Sequence, residues 1–315
     1  MDEAIALGER GRGRTAPNPN VGCVIVSEGS IVGRGWTQNG GRPHAEAVAL
    51  AEAGAAARGA TVYVTLEPCA HQSARGPACA DLLVEARPAR VVAALADPDP
   101  RTDGDGFARF GAAGIAVDVG VGAEEAARSM AGFLTRIRLG RPFVTLKLAM
   151  SIDSMIATAS GESKWITGEE ARADVHEERA KADMILVGRG TYEADAPRLD
   201  VRIPGLEDRS PRRAILTSGE GVEGWTRLGS PADVHGLGDV NDLLVEGGAE
   251  TAAAFLAADL VDRLLIYRAP ILIGNGKPAF GPIGLESLAA AHGRWRSNGT
   301  RQLGSDTRQV YERTR

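Results

Sequence analysis

Apolar positions in this chain come in short runs, and the runs alternate between helical and strand periods. Residues 2–13 read as a short amphipathic helix, broken by Ala16-Pro17-Asn18-Pro19-Asn20, where two prolines forbid continuation. Runs at 21–26 and 31–36, separated by Glu28-Gly29-Ser30, read as a strand hairpin. The loop 39–43 delivers His44 to the start of a helix reaching about residue 55. A strand at 61–66, a cysteine-bearing loop and a helix from about Cys79 follow. Then come strands at 90–95 and 115–119, a helix near 106–113 and a helix over 123–135. Strands alternating with helices predict an α/β layered sheet.

A second series begins after Gly140-Arg141-Pro142. Residues 143–149 read as a buried strand interrupted by Lys147, and Thr167-Gly168-Glu169-Glu170 as a capped start of a helix to about Lys181. Apolar runs at 184–187, 213–217, 243–248 and 264–267 read as strands, with an alanine-rich helix over 250–257. The chain of 315 residues therefore divides into expected domains 1–140 and 141–315, since one ordinary core does not serve that length.

Composition narrows the function classes. Charged residues make up 24% with a net charge of −5 and no basic stripe, so a nucleic-acid backbone is not the expected partner, although a pocket for one phosphate is compatible. No apolar run reaches the roughly 20 residues of a membrane span. The acidic start, Met1 to Ile5, does not read as a signal peptide. Three cysteines make no disulfide framework and fit a reducing cytoplasm. Cys23, inside Val21 to Val26, reads as a buried strand thiol.

The candidate chemistry lies in His44-Ala45-Glu46, Pro68-Cys69 and Ala78-Cys79. His44, Cys69 and Cys79 are zinc-ligand types, and three protein ligands leave the fourth position free for water, as catalytic sites do. Residues two apart do not share a helix face, so His44 and Glu46 can serve one site only from the first turn. Pro43 starts the helix at that place, and Cys79 at another helix start gains from the dipole as a thiolate. A closed structural site would need His71 as fourth ligand; His71 reads rather as pocket lining, and Glu46 as the proton carrier. Zinc deaminases of nucleobases carry H-x-E with P-C-x-x-C. Here nine residues separate the two cysteines, which points away from nucleic-acid bases. Two strand-then-glycine turns, Val187-Gly188-Arg189-Gly190 and Glu246-Gly247-Gly248, fit phosphate approach or plain tight turns equally, and do not form a Rossmann fingerprint.

With Asn18-Pro19-Asn20-Val21-Gly22, His44-Ala45-Glu46 and Thr65-Leu66-Glu67-Pro68-Cys69-Ala70-His71 on the page, the chain resembles the bifunctional riboflavin-biosynthesis deaminase–reductases. The second half continues the resemblance through Lys147 to Asp153, Gly161 to Thr167, Gly190-Thr191 and Asp195 to Arg202. The resemblance implies a cytidine-deaminase-like three-layer domain followed by a dihydrofolate-reductase-like domain. It implies a Zn2+ ion, NADPH, and a phosphorylated pyrimidine: a diaminopyrimidinone carrying a ribosylamino 5′-phosphate. The amine is replaced by oxygen and the ribosyl group is reduced to ribityl. By the same match Ser163, Arg179, Leu199, Arg202 and Glu246 are substrate positions. Ala149, Trp165, Thr191, Asp195, Ser218 and the segment 248–254 from Gly248 are NADPH positions. Arg179 and Arg202 suit a phosphate, since guanidinium forks onto its oxygens.

The chain departs from the family pattern at Ala70-His71-Gln72-Ser73, in the acid-rich loop Asp97-Pro98-Asp99-Pro100-Arg101-Thr102-Asp103, and at Ser154 and Ala196. Ser154 stands for a glycine and matters only if its φ is positive. Added acids would repel a phosphate. Three alternatives stay open at this stage: a deaminase of other bases, a zinc-stabilised NADPH-binding protein, and a deaminase with an inactive reductase half. The oligomeric state is open too, a homo-oligomer included.

Overall fold

The structure is a computed structural model and describes residues 1–72 and 75–315; Ser73 lies outside the described residues. It consists of two compact units, Met1–Gly140 and Arg141–Arg315.

In the first unit, α1 (Asp2–Glu9), β1 (Gly22–Ser27), β2 (Ser30–Trp36), α2 (Ala45–Ala53), β3 (Thr61–Val64), α3 (Cys79–Ala86), β4 (Arg90–Ala93), α4 (Asp105–Ala112), β5 (Ala116–Val119), α5 (Ala123–Ser129) and α6 (Ala131–Leu139) follow one another. The strands form one sheet in the order β2-β1-β3-β4-β5, antiparallel around β1 and parallel from β3 to β5. The alternation of β1 gives three layers: Cys23 and Ile25 pack with Ala45, Ala49 and Ala53 of α2, while Val24 packs with Ala4 and Leu7 of α1. Gly33 and Gly35 let α2 lie directly on β2, because a Cβ there would sit 2.2 Å from the Ala49 carbonyl and 2.1 Å from that of Ala45. Cys23 is fully buried, as expected of a strand thiol.

Two helices differ from expectation. The first ends at Glu9 rather than continuing to 13, since Gly8 and Gly11 sit against the Asn20 and Thr37 carbonyls and the chain turns there. The expected helix over 123–135 is two, α5 and α6, divided at Met130, whose φ −102 and ψ 20 leave the helical region.

In the second unit, β6 (Phe143–Met150), β7 (Met155–Thr158), α7 (Glu169–Arg179), β8 (Met184–Gly188), α8 (Arg189–Asp195), β9 (Arg212–Leu216), β10 (Thr226–Leu228), β11 (Asp242–Val245), α9 (Ala249–Ala257), β12 (Arg263–Arg268), β13 (Gly276–Pro278), α10 (Leu288–Ala291), β14 (Trp295–Leu303) and β15 (Asp306–Arg313) are described. Eight strands form the sheet β10-β9-β8-β11-β6-β12-β15-β14, parallel from β10 to β12 and closed by an antiparallel hairpin. Its central strands β8 and β11 are buried along their whole length and almost wholly apolar, as in a sheet covered on both faces. Helix α7 starts within the segment 167–170 where the sequence places a helix start, with Glu169 and Glu170 in its first turn. Gly168 is the N-cap, Thr167 does not cap it, and the Asp306 carboxylate of β15 accepts from Gly168 N–H at 2.6 Å.

Candidate metal centre and reductase cleft

Two helix starts and one loop build the metal centre. His44 is the N-cap of α2 and leaves its own helix uncapped, so the imidazole is free to point elsewhere. Its Nδ1 lies 3.5 Å from Cys69 Sγ and 3.4 Å from Cys79 Sγ. Cys79 opens α3, and its N–H reaches Cys69 Sγ at 3.3 Å. The three donor atoms lie within 4.8 Å of one another, and the two sulfurs with one imidazole are a donor set suited to zinc. His71 is not part of this cluster. Its Nδ1 is buried and has no hydrogen-bond partner among the described residues, and the ring lines the adjoining cavity. Hydrogen bonds from the Cys79 thiol, from His44 and from Cys79 N–H favour Cys69 as a thiolate, with its pKa lowered to about 4.

Glu46 is the second residue of α2 and 3% exposed, so the two functional groups share the first turn. Burial raises its pKa to about 7, which places it where a carboxyl can both take and give a proton near neutrality. A cavity of about 300 Å³ adjoins it, lined among others by Asn18, His71, Asp97, Arg101 and Arg136. Asp97 is also pushed up to about 7, chiefly by burial. The added acid Asp99 is neutralised within its own loop by the Arg101 guanidinium, Nε to Oδ1 at 2.9 Å.

Glu67 is a residue that sequence reasoning missed. Its buried carboxylate accepts four backbone N–H groups, from Asp97, Gly104, Gly106 and Phe107. It ties the loop 97–107 to the strand end that leads to Cys69. A glutamate directly before Pro68-Cys69 was the available signal.

In the second unit, Arg179 at the end of α7 meets Glu246 after β11 in a two-pronged pair, Nε to Oε1 at 2.7 Å and Nη2 to Oε2 at 3.0 Å. Lys147 Nζ lies 3.6 Å from the same carboxylate. Burial pushes the Glu246 pKa up, but Lys147 and Arg179 outweigh it and hold it at about 2. The sequence shows Lys147 as a charge interrupting an apolar strand and as the head of a family-like segment, with no site role assigned to it. Arg179 is therefore no surface charge; it also donates to the Asp200 carbonyl at 3.1 Å. Arg202 is half exposed and bonds Asp200 Oδ1 at 3.3 Å. Leu199, between them in the chain, is buried with φ 57°.

Thr191 on α8 and Gly248 at the start of α9 come together, Gly248 N–H donating to Thr191 Oγ1 at 3.2 Å. Asp195 pairs with Lys164 at 3.0 Å, which brings the loop bearing Ser163 and Trp165 beside α8. Ala149 lies in β6 and Ser218 just past β9. Among the described residues no hydrogen bond joins Ser163, Trp165 or Ser218 to the Arg179–Glu246 group. Ser154 and Ala196 both have positive φ, 64° and 40°. The departure at Ser154 therefore does fall where a glycine is favoured, and the Arg268 guanidinium holds its hydroxyl at 3.2 Å.

The fold and the two sites define a zinc-dependent deaminase unit followed by a dihydrofolate-reductase-like unit. Residues 1–95 match the cytidine and deoxycytidylate deaminase zinc-binding region, and residues 142–228 and 235–308 match the RibD C-terminal domain. The riboflavin biosynthesis protein RibD of Haemophilus influenzae is 40% identical over 99% of this chain and 96% of its own length. The structure of Acinetobacter baumannii RibD superposes with a TM-score of 0.91 at 36% identity, covering 100% of this chain and 98% of that one. A deaminase/reductase structure from Thermotoga maritima gives 0.89 at 31% identity, with 100% and 97% covered. The chain belongs to the RibD family: it is a bifunctional deaminase and reductase of riboflavin biosynthesis.

Proposed function

We propose that the deaminase unit acts on a diaminopyrimidinone bearing a ribosylamino 5′-phosphate, and that the reductase unit then uses NADPH to convert the ribosyl group to ribityl. The observation that carries the first step is the His44, Cys69 and Cys79 cluster with Glu46 beside a cavity of about 300 Å³. His44, Cys69 and Cys79 would hold zinc, which when bound would supply a Lewis acid able to make water nucleophilic near neutral pH. Glu46 takes a proton from the attacking water and returns it to the departing amine, which leaves as ammonia. Arg42 and Arg136, which also line the cavity, are guanidiniums of the kind that a phosphorylated substrate requires. Cys69 and Cys79 must be reduced rather than joined in a disulfide to act as thiolate ligands, which suits a reducing cytoplasm.

In the reductase unit, Ser163, Leu199, Glu246 and the two guanidiniums of Arg179 and Arg202 receive the substrate. Ala149, Trp165, Thr191, Asp195, Ser218 and the start of α9 at Gly248 would hold NADPH. The hydride chemistry is the cofactor's; the protein orients it. The Glu246–Arg179 pair fixes one guanidinium, and Asp200 draws Arg202 to the same place. The test is incubation with the pyrimidinone phosphate, with and without NADPH, reading products by mass. Ammonia loss without NADPH and the ribityl product with it are expected. Glu46→Gln should lose deamination by about 10²-fold or more while zinc stays bound. Absence of the ribityl product when NADPH is supplied, or full deamination by Glu46→Gln, overturns the reading.

A further inference from the structure

His176 stands on α7 three residues before Arg179, so the two share a helix face. Its ring makes three close approaches. Nδ1 lies 3.1 Å from the Asp200 carbonyl oxygen and 3.3 Å from Arg202 N–H, and Nε2 lies 3.3 Å from Arg202 Nη2. A carbonyl can only accept and a guanidinium can only donate. A proton on Nδ1 satisfies both the Asp200 carbonyl and, through the Nε2 lone pair, the Arg202 guanidinium. A proton on Nε2 would satisfy only the Arg202 N–H, and would set donor against donor and acceptor against acceptor at the other two. The Nδ1–H form is therefore the one the geometry selects.

We infer that His176 is a positioning residue of the reductase unit: its ring aims the Arg202 guanidinium toward the place where Arg179 is anchored, and so shapes the pocket for the substrate's phosphate. This rests on the reading of Arg179 and Arg202 as phosphate partners. Two guanidiniums repel each other, and something must hold them close. Asp200 does part of it, with its carbonyl on Arg179 and its carboxylate on Arg202 and Arg198. That carboxylate is already shared between two cations, which leaves the orientation of Arg202 to the acceptor nitrogen of His176. The charged residues that act on the ring are Arg179 on its own helix, Asp200 and Arg202 from the segment after α8, and Glu246 after β11. Burial, then Arg179 and Arg202, lower the His176 pKa below its ordinary value, so the ring stays neutral and its lone pair available at pH 7. As a cation it could not accept from Arg202 at all.

The test uses the full chain, the deaminated pyrimidine phosphate and its dephosphorylated counterpart, both with NADPH. His176→Ala should raise KM for the phosphorylated substrate about tenfold, the equivalent of one hydrogen bond to a charged group, with kcat changing much less and KM for NADPH constant. His176→Gln, whose side-chain oxygen can accept from Arg202, should recover most of that loss. On the dephosphorylated substrate His176→Ala should match wild type. The inference is overturned if His176→Ala leaves KM unchanged, if Gln rescues no better than Ala, or if the penalty is equal on both substrates. If wild type reduces the two substrates equally well, the phosphate reading itself fails and takes the inference with it.

Discussion

Single residues carry strain and charge in this protein that energetic arguments can weigh. Ser154 adopts φ 64° in the turn between β6 and β7, a conformation that costs a side-chain-bearing residue about 1 kcal/mol relative to glycine. Its hydroxyl recovers part of that cost by accepting from Arg268, which also donates to the Ile152 carbonyl at 2.9 Å. Ser154→Gly and Ser154→Ala both lose the hydroxyl, but only Ala keeps the strain. Ser154→Gly should therefore be more stable than Ser154→Ala by about 1 kcal/mol in thermal unfolding. Asp183 gives a pH test. Burial, with the neighbouring Asp242 carboxylate, raises its pKa to about 6, although it accepts N–H bonds from Asn241 and Asp242. The folded state thus holds its proton more tightly than the unfolded chain, whose carboxyl titrates near 3.9. Its stabilising contribution is complete below about pH 4 and is lost as pH rises through 6. Asp183→Asn keeps an oxygen for both N–H groups. It should flatten this dependence and melt higher than wild type at pH 7 to 8.

Elements are held to one another by a few polar side chains as much as by apolar packing. Glu67 fastens the loop before α4 and the first turn of α4 to the segment after β3 through four backbone N–H bonds, with no cation in the set. Glu67→Gln keeps the shape, removes the charge and leaves an amide donor facing N–H donors. A loss of about 1–3 kcal/mol is expected, with KM for deamination rising because Asp97 and Arg101 line the cavity. Unchanged melting and unchanged KM would show that the loop holds itself. The element least visible in the sequence is the hairpin of β14 and β15. Strand β14 is exposed along nearly its whole length, so it has no apolar alternation to read. It exists because β15 pairs with β12 in register from Arg263–Glu312 to Arg268–Thr307. The same strand supplies Asp306 to cap α7, a contact spanning most of the unit's length in sequence and absent from any local pattern.

At the scale of the whole chain, two compact units each bury a core and each carry one chemistry. Removing zinc with a chelator should abolish ammonia release and lower the melting temperature of the deaminase unit, since a ligand bound only to the folded form stabilises it by mass action. Reduction of the already deaminated substrate by NADPH should persist; its loss under chelation would show that the reductase step depends on the metal. The sequence by itself determined the metal donors His44, Cys69 and Cys79, because they lie at helix starts and past a strand end that local pattern places, and it set Glu46 beside them in the first turn of α2. It also determined the alternation of strands and helices, because apolar period is a local property. Only the tertiary structure decided that Arg179 and Glu246 form one buried pair across 67 residues, and that His176 reaches Arg202. It alone decided that Glu67 binds a loop 30 to 40 residues away. Those bonds join groups far apart in the chain, and their partners are fixed by sheet order and register rather than by spacing.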